Sequence, residues 1–305
     1  MYIFQRLLLS LLLVSITACT TFAPQPTSPE MVNWGSPEGI TRLAESNYKV
    51  DFFKLANHFE SQHNKMFCGP ASAAIVLNAL RIRAGSIAIP EDTTLLTPDD
   101  LSYLPSKTWS PFFQRYTQNN VFIASPKTRE QVLGEVLRDP QQNILLNAKG
   151  KPTKDRGFQL QQLAALFRQH GLNVTVRVVD QQLSDALIKQ EIIANLAHAD
   201  DYVIINYKRA TLKQAGGGHI SPLAAYHQAS DSFLVMDVTP NKEDWVWVKA
   251  DLLIGAMRSF DTVENRGYLL LSEKRGYILK TGQAVVGYRT AYPMLAKGTQ
   301  CDTVL

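Results

Sequence analysis

The chain has 305 residues, 45% of them apolar and 19% charged, so it can bury a substantial core. That length admits one large domain or two small ones. The net charge of +4 comes without a dense Lys/Arg run interleaved with aromatics, which argues against a nucleic-acid partner.

At the start, Arg6 precedes an apolar stretch over 7–14, and Ile16-Thr17-Ala18-Cys19 follows. The stretch is too short to span a bilayer, which takes about 20 apolar residues. A charged start, a brief apolar run and small residues before a cleavage point describe an export signal over 1–18. Pro24, Pro26 and Pro29 among Thr, Ser and Gln read as a tether, extending over 19–42. A globular unit is expected over 43–272. The spacing predicts a helix over 67–80, with Pro70 in its first turn, where a missing N–H costs nothing. Residues 91–120, rich in Pro, Thr, Asp and Asn, suggest loops or short helices framing a cleft. A helical stripe over 158–169 closes at Gly171; a strand follows over 173–179 and a helix over 184–197. The period then changes, with strands expected over 202–207, 219–227, 232–238, 245–248 and 267–271. Helices first and antiparallel strands later argue for an α+β domain. Residues 273–305 form a basic tail with no predicted fold.

Cys19, Cys68 and Cys301 are the three cysteines. Cys301 lies in a polar tail close to the C-terminus, where a bridge would staple little. Cys68 sits within Gln62-His63-Asn64-Lys65-Met66-Phe67-Cys68-Gly69-Pro70, at the predicted start of a helix. A helix N-terminus stabilises a thiolate through its unpaired N–H groups and dipole. Gly69 permits close backbone approach. Gln62 could bring an amide N–H to a developing oxyanion, with the Cys68 backbone N–H as second donor. The bland alternative is a buried small hydrophobe beside a surface glutamine.

A thiolate nucleophile needs a base that later acts as an acid, and a group to orient that base. His58, His63, His170 and His198 lie in helical or polar contexts. His219 follows Gly216-Gly217-Gly218, where the glycines, Gly218 nearest, leave space for a substrate backbone. Asp237 ends an apolar run on the expected hairpin partner, and a buried carboxylate needs a partner. Centring the hairpin on Ser230 places Asp237 nearer residue 223 than 219, so the pairing requires a bulge or skew, which Pro222 could mark. His227 is the competing base, and a Cys/His/Asp metal site is a third reading that lacks ligand-pair spacing.

Ile16-Thr17-Ala18-Cys19 resembles the lipobox of bacterial lipoproteins. That resemblance implies lipidation of Cys19 and a membrane partner through the lipid anchor. With Thr20 next, it implies an outer-membrane address facing the periplasm. The region from Gln62 through Phe67-Cys68-Gly69-Pro70-Ala71-Ser72 to Val76-Leu77-Asn78-Ala79-Leu80 resembles the nucleophile helix of phytochelatin synthases. Further matching runs are Phe113…Tyr116-Thr117-Gln118-Asn119, Asn206-Tyr207, Gly217-Gly218-His219-Ile220-Ser221-Pro222-Leu223-Ala224-Ala225-Tyr226, Met236-Asp237-Val238, Trp247-Val248 and Arg266-Gly267. The likeness covers about residues 45–272, and is greatest to the short bacterial members. A cysteine-rich second domain like that of the plant and fungal members is not expected, since Cys301 is the only cysteine after residue 272.

The resemblance implies a papain-like fold, with the nucleophile at a helix N-terminus packed on an antiparallel sheet that carries His and Asp. It implies glutathione as substrate, with γ-Glu-Cys held on Cys68 and glycine released. Water is the expected main acceptor; glutathione as acceptor would give phytochelatins. His219 is the implied acid and base, Asp237 its orienter and Gln62 the oxyanion donor. Asp261 and Arg266 match the pair that contacts the γ-glutamyl end in the family, with about two fewer residues between them. A surface salt bridge is the bland account of that pair. No tightly bound cofactor is implied; Cd or Zn would enter as a metal–thiolate of glutathione. A homodimer is admitted. A general papain-like peptidase and a non-catalytic lipoprotein that binds a metal or partner are the competing functions.

Overall fold

The computed structural model describes residues 30–82, 84, 87–104 and 110–274. The expected signal segment, Cys19, Cys301 and nearly all of the expected tail lie outside the described residues. In chain order the elements are β1 (Met31–Asn33), α1 (Pro37–Glu45), α2 (Val50–Asn57), α3 (Cys68–Arg81), α4 (Pro98–Ser102), α5 (Arg129–Leu133), α6 (Leu160–Gln169), β2 (Leu172–Val178), α7 (Asp185–Leu196), β3 (Asp201–Lys208), β4 (Gly218–His227), β5 (Ser232–Val235), β6 (Val246–Lys249), α8 (Ala250–Met257) and β7 (Gly267–Glu273).

The strands join one antiparallel sheet in the order β1-β6-β5-β4-β3-β7-β2. Alternate residues of the central strands feed two cores. Tyr202 and Ile204 of β3 pack with α3 and α6, whereas Val203, Ile205 and Tyr207 pack with α7 and α8. This is the two-residue strand period with both faces covered, which is why β3 and β4 read as nearly unbroken apolar runs. The fold is mixed helix and antiparallel sheet, in keeping with α+β. The helix over 184–197 lies between β2 and β3 as expected; helices and strands interleave further because β1 precedes the helices and α8 falls between β6 and β7.

The folded unit begins before residue 43. β1 pairs with β6, Met31 opposite Val248, and the Trp34 ring lies 4.6 Å from that of Trp245. Trp247 Nε1 donates to Gly39 O at 3.1 Å, tying α1 to the sheet. Residues 31–42 are therefore part of the domain. A three-residue strand and a nine-residue helix carry too little periodicity to stand out from a proline-rich neighbourhood.

α3 is the axis of the molecule. All 14 of its residues are buried, and its small Ala71, Ala73, Ala74 and Ala79 let other elements approach closely. A helix buried all round must pair its polar groups internally. Asn78 does so with the backbone of Tyr116, donating at 2.8 Å and accepting at 2.7 Å. Arg81 donates to Glu273 at 2.6 Å, to His170 O at 2.6 Å and to the Tyr116 hydroxyl at 2.8 Å. Ser72 donates to Ile220 O at 3.3 Å, fixing the helix against β4.

Asp51 of α2 breaks this rule. It is 1% exposed and neither carboxylate oxygen has a hydrogen-bond partner. Burial, with Asp201 and Asp200 nearby, pushes its carboxyl from the ordinary 3.8 up to about 9. The folded state therefore holds a proton that the unfolded chain releases, so this group makes stability fall as pH rises from about 4 towards 9. Asp51→Asn removes that dependence. Its Tm should exceed the wild type's by a few degrees at pH 8, with little difference at pH 4. A Tm lowered equally at both values would contradict the neutral buried carboxyl.

Candidate active site

Cys68 is the first residue of α3, and no side chain caps that helix end. The first intrahelical bond, Ala71 N–H to Phe67 O, leaves the earlier N–H groups outside the ladder. The His219 ring and the backbone N–H groups of Ile220 and Gly69 all act on the Cys68 sulfur. Burial alone would push the Cys68 thiol up. His219, by hydrogen bond and charge, and these two N–H groups bring it below the ordinary thiol value. Burial would likewise lower His219, but Asp237 and Cys68 together raise it. Both shifts favour a thiolate–imidazolium pair.

His219 Nε2 meets Asp237 Oδ1 at 3.0 Å, which leaves Nδ1 for the sulfur. The geometry rests on β4–β5 register. Leu223 pairs with Val235 but Ala225 pairs with Leu234, so Ala224 is an extra residue, a β-bulge two positions beyond Pro222. Met236 N–H donates to Pro222 O at 3.0 Å, continuing the register towards Asp237 opposite Ser221. Ser221 shares a face with His219. Without the bulge, Asp237 would sit opposite Pro222 and point away. One inserted residue decides whether the pair exists.

Asp237 is fully buried and fully used. Its Oδ1 also accepts from Thr239 N–H at 2.8 Å and Arg209 Nη2 at 2.8 Å, while Oδ2 accepts from the Tyr207 hydroxyl at 3.1 Å. Despite burial, which would raise it, His219 and Arg209 hold its carboxyl below the usual value. The Arg209–Asp237 ion pair offsets the buried charge, so His219 can lose its proton without stranding a carboxylate. Arg209 and Thr239 were not singled out by sequence reasoning, and Tyr207 entered only within the matching run Asn206-Tyr207, without a role. Tyr207 pairs with His219 across β3 and β4, so aligning those strands would have found it; Arg209 carries no comparable signal.

Gln62 reaches the same cavity. Its backbone N–H donates to Val238 O at 2.8 Å, and its Oε1 accepts from the Thr239 hydroxyl at 2.7 Å. Nε2 donates to Asn64 O at 2.7 Å, a bond that uses only one of its two N–H groups. Asp261 and Arg266 form an ion pair at 2.8 Å on the cavity wall, and Asn206 donates to Asp261 at 3.3 Å. Arg266 is 7% exposed and its Nε has no partner. A Cβ on Gly218 would come within 2.7 Å of Arg266 Nη2, so a larger residue there would displace the Arg266 guanidinium from its present place. The cavity, about 380 Å³, is thus lined by Gln62, Cys68, Gly218, His219, Asp261 and Arg266 together.

His227 lies at the far end of β4, about 27 Å along the strand from His219. It is held by Ser230 at 2.7 Å and by Glu45 at 3.3 Å. His170 bonds Val121 O at 2.8 Å and His198 bonds Ala194 O at 2.7 Å. Among the described residues no group of three or more His, Cys, Asp or Glu is arranged to hold a metal ion.

Alkylation of Cys68 by iodoacetamide reads the thiolate directly. Its pH midpoint should lie below that of an ordinary thiol. In His219→Ala, where burial remains and the largest lowering influence is gone, it should move above it, cutting the rate at pH 6.5 by at least about tenfold. Identical midpoints in the two proteins would rule out the pair.

A family model described as phytochelatin synthase matches residues 22–91 and 92–268. Curated relatives include glutathione gamma-glutamylcysteinyltransferase 3 of Lotus japonicus, 27% identical over 252 residues. Glutathione gamma-glutamylcysteinyltransferase 2 of Arabidopsis thaliana is 26% identical over 251 residues, and the Schizosaccharomyces pombe enzyme of that name 21% over 232. These alignments take in 81%, 80% and 75% of this chain, but 43%, 45% and 45% of the relatives, so the chain matches less than half of their length.

Proposed function

From a chain that belongs to the phytochelatin synthase family, we infer a glutathione γ-glutamylcysteinyltransferase and hydrolase that works through a Cys68 thioester. The observation that carries this reading is the Cys68–His219–Asp237 chain of contacts at the mouth of a buried helix, facing a cavity with an α-amino-acid-sized ion pair. A thiol at a helix tip with its imidazole on a facing antiparallel sheet also supports the papain-like reading of the fold.

The Cys68 thiolate attacks the carbonyl carbon of the Cys–Gly bond. The Cys68 N–H and the second Nε2–H of Gln62 donate to the resulting oxyanion in this reading. His219 passes its Nδ1 proton to the departing glycine nitrogen, the C–N bond breaks, and γ-Glu-Cys remains as a thioester. His219, now neutral, takes a proton from water as its oxygen attacks the same carbon, and the thiolate leaves. Glutathione attacking through its amine would give the longer peptide instead. A cavity of 380 Å³ is at the small end for small-molecule sites, about 300–1,000 Å³. An acceptor peptide must therefore enter after glycine leaves, whereas water is always present, which makes hydrolysis the main outcome.

Asp261 matches the ammonium and Arg266 the carboxylate of a γ-glutamyl group. The unpartnered, nearly buried Nε of Arg266 supports this, because a buried donor calls for an acceptor. A general peptidase has no use for such an end. Cadmium or zinc belongs here as part of a thiolate substrate, and the lipid anchor at Cys19 with its envelope address completes the proposal.

Incubation of the purified chain with glutathione, followed by mass spectrometry, should show free glycine and a γ-Glu-Cys adduct lost in Cys68→Ala. His219→Ala should abolish turnover, and Asp237→Asn should lower kcat by more than about tenfold while leaving the fold intact. Untouched glutathione in the presence of folded protein would refute the reaction. Repeating the assay with Cd²⁺ tests the metal–thiolate, and mass analysis of the Cys19→Ser protein from membranes tests the anchor.

A further inference from the structure

Five Lys and Arg side chains line the cavity, and two of them have anionic partners: Arg209 with Asp237 and Arg266 with Asp261. Lys65, Arg156 and Lys242 line it with no side-chain hydrogen bond or ion pair among the described residues. A wall with three surplus positive charges is built for a ligand that carries more than one negative group.

The sheet gives those charges an order. Along the rim β7-β3-β4-β5, Arg266 precedes β7 and Asn206 lies in β3. Gly218 and His219 open β4, and Thr239 and Lys242 follow β5. Lys242 N–H donates to Thr239 O at 2.9 Å, so Lys242 belongs to the turn whose Thr239 hydroxyl holds Gln62. Its ammonium lies over the glycine run leading to His219. A Cβ on Gly216, whose φ of +124° already favours glycine, would meet Lys242 Nζ at 3.4 Å.

The substrate reading above places an α-amino-acid end on the β7 side and the scissile bond at β4. The residue that leaves then continues towards β5. From β7 to β5 is three strand spacings, about 14 Å. A tripeptide reaches about 10 Å in full extension, and a γ-linked one is longer by two methylenes. We propose that Lys242 binds the free carboxylate of the departing C-terminal residue and so confines cleavage to the last peptide bond of an anionic peptide. This rests on the proposed reaction and names what it selects. Lys65 and Arg156 neighbour Met66 and Gly157 in the chain, away from the strand ends that order the other residues, and supply charge without this placement.

The test compares kcat/KM for glutathione and for glutathione bearing a glycine amide, in the wild type, Lys242→Met and Arg156→Met. Because Lys242 is exposed, the wild type should prefer the acid by about three- to fivefold, the upper range of an exposed ion pair. In Lys242→Met the preference should fall close to one, through loss of rate on the acid. In Arg156→Met both rates should drop while the preference persists. A wild-type preference near one, or one that survives in Lys242→Met, overturns the assignment to Lys242. Failure of Cys68 to acylate with either peptide overturns the reaction itself, and the assignment with it.

Discussion

The contact between His219 and Asp237 exists because β4 carries one residue more than its partner strand. Ala224 is left unpaired, and from Val235 to Asp237 every side chain faces the opposite side, relative to β4, from the one an unbroken hairpin would give. Asp237 is thereby turned towards His219 and Tyr207. A carboxylate facing the other core would have met apolar side chains and no partner, at a cost far above the small one of a bulge. The bulge therefore protects the fold from a buried lone charge as much as it builds the site.

The sulfur side of the site is equally constrained. α3 is enclosed along its whole length, and its interior polar groups are tied to Tyr116, His170 and Glu273. Only its N-terminus opens on the cavity. A helix that cannot shift delivers its free N–H groups and its dipole to a fixed point, and that point is Cys68. With Ser72 donating to Ile220 O, helix and strand are tied together at the position where the imidazole enters. Arg209 then neutralises Asp237, which lets the imidazole change its protonation state during turnover while the carboxylate stays fixed.

Much of this was legible in the residues themselves. The helix over 67–80 shows up as Cys68–Arg81, and the strands over 202–207 and 219–227 as Asp201–Lys208 and Gly218–His227, because long apolar runs bounded by glycine and polar punctuation are strong signals. The need for an irregularity between His219 and Asp237 was visible from counting alone, although Pro222 was a poor marker for it; proline is tolerated there with its carbonyl accepting from Met236. β1, α1, α2 and α8 were missed, being short and dependent on tertiary partners such as Trp245 and Trp247. Arg209 and Thr239 were invisible for a different reason. Their importance lies in which oxygen of Asp237 they reach, and no periodicity encodes that.

These pieces converge on one electrostatic statement: the sulfur is drawn towards the thiolate and the imidazole towards the imidazolium. Nitrogen-15 NMR of histidine-labelled protein measures it most directly. In the wild type at pH 7 both ring nitrogens of His219 should be protonated, and in Cys68→Ala the ring should become neutral, its proton on Nε2 facing Asp237. A ring that is neutral in both proteins, with an intact fold, would contradict the account.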